Sequence, residues 1–196
     1  MNTLTVVSTE KLVKDVIRCL KDVASCQDAR NDAILMKMKG VKETLRTDKE
    51  SFCEVFCEEN GIYELQSCLR NPSQSVKGSV LECVPFLFTF ESARHFIKGK
   101  LDFFTTLYGF LDSSNLKEMR NKAAYMFTLI MTFMSRGSLG FNLITKAAEN
   151  YARKNGKACY DEIVSALELK DPELRLNVLN LINLIIMRSP SDKKKS

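Results

Sequence analysis

The chain has 196 residues, of which 45% are hydrophobic and 27% are charged, and its net charge is +5. This composition is typical of a folded protein and excludes an intrinsically disordered one, and no apolar run reaches the roughly 18 residues that a membrane span needs. The positive charge is spread along the chain and into a basic end, so it does not form the basic, aromatic-bearing stripe of a nucleic-acid-binding protein.

The cysteines and the N-terminus indicate the compartment. The chain has seven cysteines, an odd number, and most of them occupy apolar positions of predicted helices. This usage is typical of reduced thiols that serve as small core residues. The N-terminal MNTLTVVSTEK lacks the charged start and long apolar run of a secretory signal. We therefore expect a cytoplasmic protein.

Apolar residues spaced three and four apart predict helices in the first half of the chain. Ser8 or Thr9 is expected to cap the first helix, and Gly40 is expected to allow a close helix contact in the second. Gly61 suits a left-handed helix cap, and Pro85 should kink or split the helix predicted over 76–90. The predicted ranges are 9–24, 33–46, 51–58, 62–69 and 76–90.

The second half of the chain is also predicted to be helical, and no segment has the alternation of a strand. Its last helix is apolar on nearly every side, which predicts that it is sandwiched between neighbouring helices. The predicted ranges are 91–100, 101–111, 117–134, 139–153, 159–169 and 174–187.

A repeat is visible in these helices. Three times, a helix that ends in leucine is followed by a polar turn and a long apolar helix, and the leucines are Leu69, Leu111 and Leu167. They are 42 and 56 residues apart, and the longer step contains an extra helix. A drifting step of about 40–47 residues built from helices is the period of armadillo and HEAT arrays. The sequence therefore predicts an all-α, armadillo/HEAT-like solenoid, a right-handed superhelix of helical repeats.

The predicted domain organisation follows the repeat. Residues 31–192 are expected to form the repeat domain, residues 1–30 an N-terminal helix, and residues 193–196 a basic tail.

The side-chain chemistry of an enzyme or metal site is not evident. His95 is the one histidine and is expected at the surface, and Cys53 and Cys57 have no further ligands in a zinc-binding spacing. The glycines of RGSLGF, residues 136–141, lack the pattern of a phosphate-binding loop. We predict no catalytic residues, no cofactor and no metal. One acidic cluster is expected to be a solvated helix face: Glu54, Glu58 and Glu59.

Four segments carry a family resemblance. LNVLNLINLIIMRSPSD, residues 176–192, resembles the closing helix of the armadillo-repeat regulatory region (GTPase-binding/FH3) of diaphanous-type formins, with its Leu-Ile-Asn core and proline-bearing acidic turn. Residues 38–71 resemble the first repeat of that region, residues 119–130 its paired-alanine helix, and residues 140–154 its extra helix. The resemblance covers residues 38–192.

The resemblance implies a regulatory module that binds a Rho-type GTPase and an autoinhibitory helical tail peptide, and that acts on actin only indirectly. It also implies a cytoskeleton-associated location, a longer formin of which this chain is a part, and a GTPase-binding role for the N-terminal helix. By this resemblance, Thr47, Asp48 and Lys49 occupy the turn at which the family binds its GTPase. That turn departs here from the family's asparagine-rich pattern, so a plain surface turn remains an alternative.

The peptide is expected in a concave groove, because α-solenoids present one helix of each repeat there. One face of the helix 117–134 is small or polar and is predicted to line this groove, with Ala124 open to the peptide; packing is the alternative for every residue of that face. The groove residues are Asn121, Ala124, Tyr125, Thr128 and Thr132. The predicted core side carries Ala123, Phe127, Ile130, Phe133 and Met134.

Two other functions remain open from the sequence. An armadillo-type scaffold of the engulfment-and-motility class would have similar repeats and a different protein partner. A small helical enzyme would need a pocket of perturbed ionisable groups, and the sequence shows no constellation for one.

Overall fold

The computed structural model describes residues 3–28, 31–47, 50–97, 99–134 and 139–189. Within these ranges the chain forms eleven α-helices and no strand, as predicted. The helices are α1 (Thr3–Ser25), α2 (Asp32–Thr47), α3 (Glu50–Glu58), α4 (Gly61–Cys68), α5 (Gln74–Cys83), α6 (Glu91–Ile97), α7 (Leu101–Tyr108), α8 (Lys117–Phe133), α9 (Leu139–Asn155), α10 (Asp161–Ala166) and α11 (Pro172–Arg188).

The chain divides into two compact units, Met1–Gly99 and Lys100–Ser196. In the first unit, α1 packs against α2, α3 and α4, while α5 packs against α2 and α6 against α3. Apolar side chains from these helices meet in a buried core. The largest of its fully buried side chains are Leu20, Met38, Leu45, Phe52, Phe56, Leu65, Leu81 and Phe88.

The second unit is built around α8. This helix packs against α9 and α11, while α7 packs on α9 and α10 on α11. The core contains four aromatic side chains, of which Tyr108 and Phe127 have ring centroids 6.0 Å apart. The aromatic core residues are Phe103, Phe104, Tyr108 and Phe127. The predicted separation of residues 1–30 from a repeat domain 31–192 stays a prediction.

Pro85 changes the helix type, as the predicted kink implied. The α-helix α5 ends at Cys83, and Val84–Phe88 continues as a 3₁₀ helix with Pro85 in its first turn. Proline has no N–H to donate within an α-helix, and a tighter turn absorbs the loss.

Side-chain caps fix the starts of α5 and α11. Ser73 accepts a hydrogen bond from the Val76 amide at 3.4 Å and begins α5. Asp171 accepts one from the Leu174 amide at 2.7 Å and begins α11, whose first residue is Pro172. Short polar caps and an early proline are standard at helix starts.

Three local predictions were wrong. Helix α1 begins at Thr3, before the predicted cap at Ser8 or Thr9. The left-handed residue before α4 is Asn60, with φ 64°, and not Gly61. A Cβ atom at Gly61 would lie 2.4 Å from the Phe56 ring, so close packing explains this glycine. The close helix contact predicted at Gly40 is also absent, because a Cβ atom there would meet nothing within 4 Å.

Hydrogen bonds link positions about one repeat apart. The Asn71 side chain donates to the Val23 carbonyl, which is 48 residues earlier. The Arg120 guanidinium donates to the Ser165 hydroxyl, which is 45 residues later. Asn177 and Asn121 are joined over 56 residues. These separations, 45 to 56 residues, fall within the range of the 42- and 56-residue steps between the repeat-ending leucines.

All seven cysteines lie within the described residues. Cys53, Cys57, Cys68 and Cys83 are buried, which confirms the prediction that most serve in the core. Cys68 donates from Sγ to the Leu20 carbonyl at 3.3 Å, and burial raises the pKa of its thiol to about 12. Burial also raises the pKa of the Cys83 thiol, so Cys68 and Cys83 have little thiolate character.

Candidate partner-binding surface

The predicted groove helix, α8, is held closely against α11. Asn177 donates from Nδ2 to Asn121 Oδ1 at 2.7 Å. Thr128 Oγ1 donates to the Ala124 carbonyl at 2.9 Å and also lies 3.4 Å from the Asn177 carbonyl. Ala124 and Val178 are fully buried. The small and polar face of α8 is therefore largely an internal helix contact.

This arrangement corrects the prediction for Ala124, which was expected to be open to a peptide. Its exposure is 0%, because its small side chain leaves room for α11 to approach. Asn121 and Thr128 are half-buried and bonded to α11. The opposite side of α8 is core, as predicted: Ala123, Phe127, Ile130 and Met134 are buried, and Phe133 is half-buried.

Tyr125 and Thr132 remain accessible on α8. Tyr125 is 52% exposed, Thr132 is exposed, and the half-buried Leu129 lies between them. The hydroxyl of Thr132 donates to the Thr128 carbonyl at 2.8 Å, which leaves its methyl group as the apolar contact. Positions 125, 129 and 132 lie on one helix face. This narrow line, the α8 line, is the part of the predicted groove that a partner can reach.

The predicted GTPase-binding turn is described at one of its three residues. Thr47 ends α2, is exposed, and donates from Oγ1 to the Glu43 carbonyl at 2.8 Å. Asp48 and Lys49 lie outside the described residues. The role of this turn stays a prediction.

The outer side of α11 is an apolar surface that the sequence analysis did not anticipate. Leu176 is 59% exposed, Leu179 50%, Ile186 66% and Met187 78%. The prediction that α11 is sandwiched between helices was therefore wrong for the described residues. Its inner side packs on α8 and α10 through Leu174, Val178 and Leu181. The sequence of α11 is apolar on nearly every side. This pattern predicted burial all round and did not indicate that one side would be exposed.

A polar cluster joins the turn after α7 to α10. Lys157 Nζ lies 2.5 Å from Asp112 Oδ2 and also pairs with Glu162 Oε1. Tyr151 donates its hydroxyl to Asp112 Oδ2 at 2.6 Å, and the Ser113 amide donates to Glu162 Oε2 at 3.2 Å. Both carboxylates are buried and fully partnered, so the cluster is suited to holding the turn in place.

The hydrogen bonds set the protonation state of this cluster. Burial alone would raise the pKa of Asp112, but bonds from Lys157, Tyr151 and Ser114 outweigh it and hold that pKa well below its ordinary range. The pKa of Lys157 is raised, chiefly by its hydrogen bond to Asp112 and next by its hydrogen bond to Glu162. Asp112 is ionised and Lys157 protonated near neutral pH, which is the state that a structural ion pair needs.

Among the described residues, no group of three or more histidine, cysteine, aspartate or glutamate side chains is placed to hold a metal ion. His95 is exposed, as are Glu54, Glu58 and Glu59, which confirms their predicted surface positions. In the same part of the chain, no helix has the length and hydropathy to cross a membrane.

The comparisons with known proteins decide the family. The model of the FHOD1/3 FH3 domain matches residues 80–196, well over half of the chain. The chain belongs to the FHOD1/3 FH3 family. The predicted formin relationship and the all-α, armadillo-like fold are thereby confirmed. The FH3 family is a class of regulatory domains and not a class of enzymes.

A formin is also similar to this FH3 chain in sequence. Formin-G of Dictyostelium discoideum is 24% identical over 149 residues, which are 76% of this chain and 14% of Formin-G. The chain therefore spans about one seventh of the length of that relative. The match to the FH3 family model includes α8, α11 and the Asp112 cluster, so the α8 line and the outer side of α11 lie on the family domain.

Proposed function

We propose that this FH3 chain binds a Rho-type GTPase and an autoinhibitory helical peptide, and that it controls actin assembly through these two partners. The observation that carries the proposal is the FH3 match over residues 80–196, which makes the chain a formin-related regulatory module. We place it in the cytoplasm with the actin cytoskeleton, and we assign it no cofactor and no reaction.

The α8 line is the proposed peptide site. An amphipathic helix lays its apolar face along an apolar line of its partner, and Tyr125, Leu129 and Thr132 form such a line on one face of α8. Tyr125 supplies the largest contact, because an exposed tyrosine combines a broad apolar ring with a polar hydroxyl. Ala124, Asn121 and Thr128 support the site from below by fixing α8 against α11.

The GTPase is proposed to bind at the first unit, at the turn that begins with Thr47. The support is the resemblance of residues 38–71 to the first repeat of the formin region, together with the exposure of Thr47 at the end of α2. A scaffold of the engulfment-and-motility class was the alternative from the sequence, and the FH3 match favours the formin.

The peptide half is tested by calorimetric titration of the full chain with a formin C-terminal autoinhibitory peptide. Tyr125→Ala should weaken binding about tenfold, which is the effect of losing one aromatic anchor. Tyr63→Ala on α4 is the matched control, because Tyr63 is 54% exposed and Tyr125 is 52% exposed. Equal affinities for both variants and the unaltered chain would remove the peptide site from the α8 line.

The GTPase half is tested separately by titration with a Rho-type GTPase in its GTP-analogue and GDP forms. We expect binding to the GTP-analogue form to be at least about tenfold tighter. Equal affinity for the two forms, or no binding to either, would refute this half and leave the peptide half standing.

A further inference from the structure

We propose that Asn155, at the end of α9, is a site of spontaneous deamidation, in which water converts its side-chain amide into a carboxylate. The chain contains the dipeptide Asn-Gly twice, at Asn60-Gly61 and at Asn155-Gly156. The structure distinguishes the two sites, because Gly61 is buried and Gly156 is exposed. The proposal stands apart from the proposed partner binding.

The reaction uses the backbone itself as the nucleophile. The backbone nitrogen of the residue after the asparagine gives up its proton and attacks the side-chain carbonyl carbon, Cγ. The new C–N bond closes a succinimide ring, and the side-chain nitrogen leaves as ammonia. Water then opens the ring at either carbonyl and yields aspartate or isoaspartate. Glycine suits the attacking position, because it has no Cβ atom to crowd its nitrogen.

The surroundings of Gly156 leave the attacking nitrogen room to move. Gly156 is exposed, its φ is 65°, and a Cβ atom there would meet nothing within 4 Å. Asn155 is the last residue of α9 and is also exposed, so water reaches its amide. Asn155 donates from Nδ2 to the Tyr151 carbonyl at 2.8 Å. An exposed bond of this kind is readily exchanged for one to water, so the side chain can turn toward the Gly156 nitrogen.

Asn60 has the same neighbour in a setting that resists the reaction. Closing the ring turns the planar peptide group between asparagine and glycine, and the carbonyl of the asparagine turns with it. The Asn60 carbonyl accepts from the Tyr63 amide at 2.9 Å and from the Glu64 amide at 3.2 Å, at the start of α4. Gly61 is buried so close to the Phe56 ring that a Cβ atom would lie 2.4 Å from it. Asn60 itself is exposed, so the two sites differ in backbone freedom and not in access to water.

Deamidation at Asn155 acts on the end of α9. A carboxylate there cannot donate to the Tyr151 carbonyl, and it places a negative charge at the negative end of the helix dipole. The isoaspartate product also adds a methylene group to the backbone ahead of Lys157, which pairs with Asp112 and Glu162. The modification should therefore weaken the Asp112 cluster as the protein ages.

The test is to incubate the folded full chain at mildly alkaline pH and to locate deamidated residues by tandem mass spectrometry of its peptides. Asn155 should gain the mass change from amide to acid at least about ten times faster than Asn60, because the reaction at Asn60 must break two backbone hydrogen bonds. In chain that is unfolded by guanidinium, the two rates should become similar, since both sites are Asn-Gly.

Asn155→Gln is the matched control, because glutamine keeps the amide but would have to close a larger, less favourable ring. This variant should remain unmodified at position 155, and in ion-exchange chromatography it should form less of the acidic species than the unaltered chain. Deamidation of Asn60 as fast as that of Asn155 in the folded chain would overturn the proposal. So would an Asn155 that stays unmodified while the chain is folded.

Discussion

Asn177 of α11 donates a hydrogen bond to Asn121 of α8 over 2.7 Å. One turn further along α8, Ala124 has no exposed surface at all. The two helices thus meet through an amide pair beside a residue that is too small to separate them. This contact, within one unit of the fold, makes the side chain at position 124 a determinant of stability.

Ala124→Asp should therefore disrupt the second unit. A carboxylate at this fully buried position has no partner, and we expect a loss of at least about 3 kcal/mol in the free energy of unfolding. Thr132→Asp, on the exposed side of the same helix, should cost about 0.5 kcal/mol. Urea denaturation followed by circular dichroism measures both. A stable Ala124→Asp variant would mean that α11 does not pack on this face.

Asn71 is expected to hold the end of α1 in the first unit. It is fully buried, its Nδ2 donates to the carbonyls of Val23 at 2.8 Å and Cys26 at 2.9 Å, and its Oδ1 accepts from the Ser73 amide at 2.8 Å. Asn71→Ala removes all three of these hydrogen bonds from a buried site, so the free energy of unfolding should fall by about 2–3 kcal/mol. Asn180→Ala, an exposed asparagine of α11, should change it by less than about 0.5 kcal/mol. Equal denaturation midpoints would show that water replaces the Asn71 amide.

Gly40 and Gly61, both in the first unit, should respond oppositely to alanine. Gly61→Ala places a Cβ atom against the buried Phe56 ring and should cost about 1–3 kcal/mol. Gly40→Ala meets open space within α2 and should gain about 0.5–1 kcal/mol, because alanine favours the helix. Chemical denaturation of the two variants tests both signs. A neutral Gly61→Ala would indicate that the Phe56 ring moves aside freely.

The Asp112 cluster should make stability depend on pH in a defined direction. The pKa of Asp112 is lowered in the folded chain, so its contribution is complete above the unfolded value of about 3.9 and is lost as the pH falls further. Asp112→Asn should cost about 2 kcal/mol at pH 7, because the buried carboxylate that accepts hydrogen bonds from Lys157, Tyr151 and Ser114 is lost. The difference between the variant and the unaltered chain should shrink between about pH 4 and pH 2. Denaturation at several pH values measures it, and a constant difference would contradict the ion-pair role.

Most of the helical organisation could be predicted from the sequence, because periodic apolar residues and polar turns are local signals. The helix predicted over 117–134 is α8, Lys117–Phe133, and the one predicted over 174–187 is α11, Pro172–Arg188. The effect of Pro85 was also predictable, since a missing N–H acts wherever the helix runs. Helix boundaries without strong caps were predicted less well, as the early start of α1 shows.

The candidate surface was less predictable, because exposure depends on which helices come together. Ala124 and Tyr125 are neighbours on a helix that is predicted correctly, yet one is fully buried and the other is half exposed. Their difference is set by α11, which is some 50 residues away in sequence, and no local pattern specifies that contact. The apolar circumference of α11 likewise could not indicate which of its sides is covered.

The one-repeat spacing of the hydrogen bonds has a consequence for folding during synthesis. Asn71 needs the end of α1, and Asn177 needs Asn121, and in each case the partner is 45–56 residues closer to the N-terminus. Each new helix can therefore dock on a segment that the ribosome has already released, without waiting for the chain to be finished. Contacts of this short range favour fast, stepwise folding. Nascent chains that end after α8 should protect the first unit from proteolysis before α11 is made.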